Sequence, residues 1–322
     1  FVYGNDIFLV LFLCVLTAYW WRYYVQLVGQ VIALVKLRAG WRENVKQVIT
    51  KSVISCLLLG SFLFFAFASI FWAVFPLLAL YNFIRLILLI FVALSISALL
   101  KLKTLKVETI FSIIAGLAVF EAIIGFFQFL FQKSLGLSWL GESVLGEDVI
   151  GSAKITVEGA SILRAYGTFP HPNVLGAFLV LGLISLYFFW LRRPSEWKAW
   201  SGFKTLKSDL TFGLMIFVIL VGIILTFSRA AWLIVVLISI GACFISLFSK
   251  YWIQSIRLLF LGFVTGPILF ITFWPFIFSR AQIYAEEPAV AYRLSYNRLG
   301  TELIKNNPLG VGLGNQVIYS VK

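Results

Sequence analysis

The chain has 322 residues, of which 61% are hydrophobic and 12% charged, with a mean hydropathy of +1.01 and a formal net charge of +13. So little charge, beside several apolar runs longer than about 18 residues, excludes an ordinary soluble domain. The basic excess falls in short loops between those runs, so it reads as loop charge of a membrane protein and no nucleic-acid partner is expected.

Taken in chain order, about eight spanning segments are predicted, at 6–28, 53–75, 78–100, 107–131, 173–191, 210–227, 230–248 and 257–277, each near the ~20 apolar residues a spanning helix needs. The fold class is therefore an all-α polytopic membrane protein. Arg22 interrupts the first segment, which reads as a span followed by an interfacial helix. Short connections at Pro76 and at Ser228-Arg229 require antiparallel neighbours. The chain starts at Phe1, has Met215 as its single methionine, and stops at Lys322 soon after a Gly-rich turn. It reads as a partial chain forming one membrane domain over 1–322. Cys14, Cys56 and Cys243 lie inside apolar runs and read as small buried hydrophobes.

Orientation follows from the basic residues. Lys36, Arg38, Arg42, Lys46 and Lys51, then Lys101, Lys103 and Lys106, then Arg192, Arg193, Lys198, Lys204 and Lys207, and lastly Lys250 and Arg257 occupy alternate loops. The positive-inside rule places those loops in the cytoplasm of a multi-pass protein of the cytoplasmic membrane. The other side takes the loop 132–172 and the segment 278–322, read as the start of a large, truncated extracytoplasmic loop. These carry Glu142, Glu147, Asp148, Glu158, Glu286, Glu287 and Glu302. At about 40 residues the loop 132–172 exceeds the ~12–15 beyond which a loop is usually functional, and helical periodicity returns only near Ala160.

Three arginines fall on that outer side. Arg164 opens Arg164-Ala-Tyr-Gly-Thr-Phe-Pro-His-Pro-Asn173, Arg229 lies in Thr226-Phe-Ser-Arg-Ala-Ala-Trp232, and Arg293 precedes Asn307-Pro-Leu-Gly-Val-Gly-Leu-Gly-Asn315. A guanidinium stays charged and pairs bidentately with phosphate oxygens, so convergence of these groups suits a lipid-linked phosphate or diphosphate. The alternative is that each snorkels to lipid headgroups. His171, the only histidine, is a weak candidate for a general base; the alternative is a structural turn held by Pro170 and Pro172. Asn173 is expected to cap a helix starting at Val174. Glu121 and Arg85 are ionisable residues deep in predicted spans, read as an ion path or as groups facing the bundle interior. The run Gly310-Val-Gly-Leu-Gly314 lacks the strand of a dinucleotide fingerprint and reads as a tight turn or a close backbone approach. The outer loops hold no Asp-x-Asp pair, and Glu286-Glu287 point apart on a helix, so no metal site and no cofactor are expected.

Together these three motifs resemble the O-antigen ligase family of membrane glycosyltransferases, over roughly residues 50–322. The resemblance implies an all-helical bundle with outer loops over the site. It also implies transfer of a glycan from an undecaprenyl-diphosphate carrier to a lipid, glycan or protein acceptor at the outer face of the cytoplasmic membrane. By motif it places Arg229 and Arg293, and also Arg164, at the donor diphosphate. The family's histidine would lie beyond Lys322, so the resemblance leaves the catalytic residue unassigned and this piece inactive by itself. A polytopic secondary transporter and a non-catalytic membrane subunit are the alternatives. A transporter would show repeated halves and broken mid-membrane helices.

Overall fold

The computed structural model describes residues 57–146, 148–157, 159–192, 203–248, 252–281 and 288–319. The predicted span 6–28, Cys14 and Cys56, and Glu147, Glu158, Glu286 and Glu287 lie outside these. In chain order the elements are α1 (Leu57–Ala68), α2 (Pro76–Lys101), α3 (Val107–Phe131), β1 (Lys154–Val157), β2 (Ala160–Leu163) and α4 (Pro172–Leu191). Then follow α5 (Phe203–Leu225), α6 (Arg229–Leu247), α7 (Trp252–Ala281), α8 (Pro288–Asn306) and α9 (Gln316–Tyr319). The described chain is mostly helical, and five helices are long and apolar enough to cross a membrane: α2, α3, α4, α6 and most of α7.

Two of the predicted spans differ from the observed helices. The segment 53–75 is helical over the described residues only to Ala68, where a turn begins before Pro76 starts α2. The segment 210–227 ends as a helix at Leu225. An all-α fold also needs one amendment. Strands β1 and β2 form an antiparallel hairpin inside the loop 132–172, in the register Lys154↔Leu163 to Val157↔Ala160. That register leaves a two-residue connection with Gly159 at φ +86°, and the alternating Ile155, Val157 and Ile162 supply β-branched strand residues.

The described residues divide into two compact units. The first holds α1, α2, α8 and α9. Here the glycine-rich run folds as a tight turn, with Gly310, Gly312 and Gly314 all at positive φ. A Cβ on Gly312 would collide with Ala73, and one on Gly314 with Asn82, so glycine is what lets this backbone lie against the α1–α2 connection. Asn315, fully buried, accepts from the Phe75 backbone N–H at 2.8 Å, which serves the otherwise partnerless amide at the start of α2. Arg85 is exposed on α2, its guanidinium 5.5 Å from the Tyr81 ring one turn back.

The second unit is the bundle α3–α7 with the hairpin. Its centre is α4, where 56% of the most apolar stretch is buried, against 11% for α6. Small residues bring the helices close. A Cβ on Gly182 of α4 would strike Ala118 of α3, and one on Gly222 of α5 would lie 2.8 Å from Ala122. Such contacts suit helix packing where lipid removes the hydrophobic drive for association. At one end of this unit Arg192 pairs with Glu108 at 2.5 Å and Arg257 with Asp209 at 3.7 Å. The basic loop ends of α3–α4 and α5–α7 therefore meet at that end, and the hairpin and the α5–α6 turn meet at the other. Between α4, α5, α6 and α7 lies an apolar cavity of about 800 Å³, with half-buried Cys243 and the hydroxyl pair Tyr187–Ser239 (2.9 Å) in its wall.

Candidate functional site

Beyond its first turns, helix α3 is apolar except for a stripe that runs to its C-cap, Gln132. Glu121, Gly125, Gln128 and Gln132 follow the spacing i, i+4, i+7, i+11, so they share one face. Along this face runs a strap of irregular backbone, Leu163–Phe169, which joins the hairpin to α4. Leu163 N–H donates to Gln132 Oε1 at 2.7 Å, and Tyr166 and Gly167 N–H both donate to Gln128 Oε1, at 3.1 and 2.8 Å. Thr168 gives its backbone N–H to Glu121 Oε2 at 2.8 Å and its hydroxyl to Oε1 at 2.6 Å. Three further amides find backbone carbonyls. Arg164 donates to Ala153 at 3.2 Å, Ala165 to Leu225 at 2.9 Å and Phe169 to Tyr166 at 3.2 Å. Every amide from Leu163 to Phe169 is thus satisfied, which irregular backbone inside an apolar bundle requires.

The strap is also a descent. Its amides meet Gln132, then Gln128, then Glu121, in order down the helix. The chain then turns back up to begin α4 at Pro172. Gly167 permits this path, being at φ +61° in a place where a Cβ would collide with Glu121 Oε2. Behind the strap, buried Gln128 Nε2 donates to Gly167 O and to Glu142 Oε1, both at 2.8 Å. Glu142 accepts in turn from the amides of Leu135 (2.7 Å) and Leu137 (2.6 Å). The Glu121 carboxylate is therefore committed to a loop, which answers its sequence reading as a step in an ion path.

Arg164 sits where strap and bundle meet. It is buried, 6% exposed; its Nε donates to Thr226 O at 2.7 Å and its Nη2 to Asn173 Oδ1 at 2.7 Å. Thr226 O and Leu225 O are among the last carbonyls of α5, so Arg164 and the Ala165 amide finish that helix from another segment. Asn173 consequently has a different role from the one expected. His171 is the N-cap of α4, with the helix starting at Pro172 rather than Val174, and its Nδ1 accepts from the Asn173 amide at 3.1 Å. The His171 ring is exposed, 6.3 Å from that of Tyr166.

The α5–α6 turn carries Arg229. Phe227, fully buried, takes φ +49°, a region unfavourable for a bulky side chain. It is held there by Phe129 (6.0 Å between ring centres), Phe276 (5.9 Å) and Trp232 (6.4 Å), and by Ile155 and Val157 of the hairpin. Ser228 is the N-cap of α6, accepting from the Ala231 amide, and half-buried Arg229 is the first helical residue. Gly176 of α4 keeps its backbone close to this turn, since a Cβ there would lie 3.2 Å from Thr226 Oγ1.

The structure thus brings Arg164, His171, Asn173 and the Arg229 turn into one cluster. Helix α8 carries Arg293 in the other unit, and its side chain lies outside those described. Sequence reasoning missed Gln128, Gln132, Glu142 and Thr168. The signal that would have found the first two is the helical period of polar and glycine residues in an otherwise apolar span. Among protein-family models, curated proteins and solved structures, no match to this chain is found.

Proposed function

We propose that this protein is a membrane glycosyltransferase. In this reading it moves a glycan from an undecaprenyl-diphosphate carrier to a lipid, glycan or protein acceptor at the outer face of the cytoplasmic membrane. Eight spans, with hairpin, strap and α5–α6 turn facing outward, belong to the same reading. The resemblance of the three motifs to the O-antigen ligase family supplies the substrate class.

The observation that carries it is the arrangement of charge at the α5–α6 turn. Arg164 caps the negative end of α5, where a cation is compensated by the helix dipole. Arg229 is placed at the positive end of α6, where a cation is opposed by the dipole. The arginine and the helix N-terminus are both positive, which suits an anionic ligand at this turn. In the transfer, an acceptor hydroxyl attacks the anomeric carbon and its proton passes to a general base, while the bond to the diphosphate oxygen breaks and the leaving diphosphate gathers negative charge. Arg229 on a preorganised turn stabilises that charge as it develops. Arg164 is a positioning residue, because its donors serve Thr226 and Asn173. His171 keeps a structural role as the α4 cap.

The test is transfer of an undecaprenyl-diphosphate-linked oligosaccharide by the full-length protein in lipid nanodiscs. Arg229→Ala should lower the rate by a factor on the order of 10²–10³ while leaving membrane insertion intact. A near-normal rate in that variant rejects the assignment.

A further inference from the structure

We infer that Glu121, in the middle of α3, is a positioning residue for the α5–α6 turn and acts through the strap. The inference rests on the glycosyltransferase reading for its purpose, but not for its structural content.

A carboxylate inside a membrane helix is costly unless paired, so an unneeded one would be expected to be an apolar residue. Here both carboxylate oxygens of Glu121 go to a single residue, Thr168, at the lowest point of the strap. Four residues back along the strap, Arg164 makes the bond to Thr226 O, and next to it the Ala165 amide makes the bond to Leu225 O. These two bonds exist only while the strap is seated, and they fix the carbonyls immediately before left-handed Phe227. A backbone conformation of that kind persists where its surroundings over-determine it. The path is continuous: Glu121 seats Thr168, the seated strap presents Arg164, Arg164 holds Thr226, and the held turn aims Arg229. Gly167 is the spacing element, since any side chain there would displace the carboxylate. Gln128, fully buried and bonded on both its amide atoms, holds the strap between the two ends.

Hydrogen–deuterium exchange of the whole protein in nanodiscs, read by mass spectrometry, tests this without reference to any substrate. In Glu121→Gln an amide N–H replaces one acceptor oxygen, and in Thr168→Val the hydroxyl donor is lost while the backbone bond is kept. Both variants should speed exchange of the 163–169 peptide by about tenfold, the equivalent of one lost hydrogen bond of this kind. Both should also speed exchange of the 226–231 peptide, while 236–246 within α6 keeps its wild-type rate. If the strap loosens and 226–231 does not respond, Glu121 is only a local anchor and the inference fails. It fails equally if neither peptide responds. Should Glu121→Gln not insert, Thr168→Val decides alone. Coupled exchange in the two variants, beside a full-length wild-type protein that transfers no glycan, would keep the positioning role and reject the proposed activity.

Discussion

Arg164 and Thr226 are 62 residues apart in sequence, and the guanidinium Nε of one lies 2.7 Å from the carbonyl oxygen of the other. This bond joins the loop before α4 to the end of α5. Arg164, whose type and position suggested a phosphate ligand, gives its Nε to Thr226 and its Nη2 to Asn173.

Stability should therefore depend on Arg164 more than on any rim arginine. Arg164→Ala leaves a buried carbonyl and a side-chain amide short of their donor, a loss of about 3 kcal/mol for hydrogen bonds to a charged group. Arg164→Lys should recover less than half of it, because one ammonium cannot span both acceptors. Chemical unfolding in detergent, followed by tryptophan fluorescence, measures both. A wild-type midpoint for Arg164→Ala would remove the clasp.

Gly167→Ala should be far worse than Gly136→Ala. Both glycines have positive φ, but a Cβ at Gly136 meets open space whereas one at Gly167 meets Glu121. The left-handed conformation alone costs about 1 kcal/mol, and the collision adds about 1–3 kcal/mol. Thermal midpoints of the two variants, compared side by side, settle this. Equal shifts would mean that the strap does not lie on the carboxylate.

At Arg229 stability and function should move in opposite directions. Arg229→Glu exchanges a cation for an anion at the first turn of α6, which favours the helix by about 0.3–1 kcal/mol. The same change should abolish glycan transfer, since the leaving diphosphate then faces a carboxylate. A melting curve and a transfer assay on one preparation give both readings. Transfer that survives the charge reversal is incompatible with a diphosphate site at this turn.

Sidedness can be checked chemically. Ser143→Cys and Asn306→Cys, with the native cysteines replaced, should react with an impermeant maleimide in intact cells. Lys103→Cys should react only after lysis. Labelling of Lys103→Cys in intact cells, or of only one of the other two, contradicts the arrangement read from the basic loops.

Much of the fold was legible, because what marks a membrane helix is local. Segments 78–100, 107–131, 173–191, 230–248 and 257–277 coincide closely with α2, α3, α4, α6 and α7. The close approach of Gly312 and Gly314 was also within reach, as glycine at such spacing has few other uses. The hairpin could have been read from Ile155, Val157, Gly159 and Ile162, but two four-residue strands are a faint signal inside a long loop.

The sequence by itself pointed to a polytopic membrane chain, since a continuous apolar stretch acts within a few residues. It also singled out Arg164, His171 and Arg229 as candidates. Only the tertiary structure showed what two of them touch: Arg164 bonds the end of α5 and His171 caps α4. A buried polar group must find a partner, and the partner's position in the chain is unconstrained: Glu121 pairs with Thr168 at a separation of 47 residues, and Gln128 with Gly167 at 39. Hydropathy registers that such groups are costly in a span, but not what satisfies them. That is settled by the packing of α3, α4 and α5, which lays the strap against one polar stripe and carries Arg164 to the end of another helix.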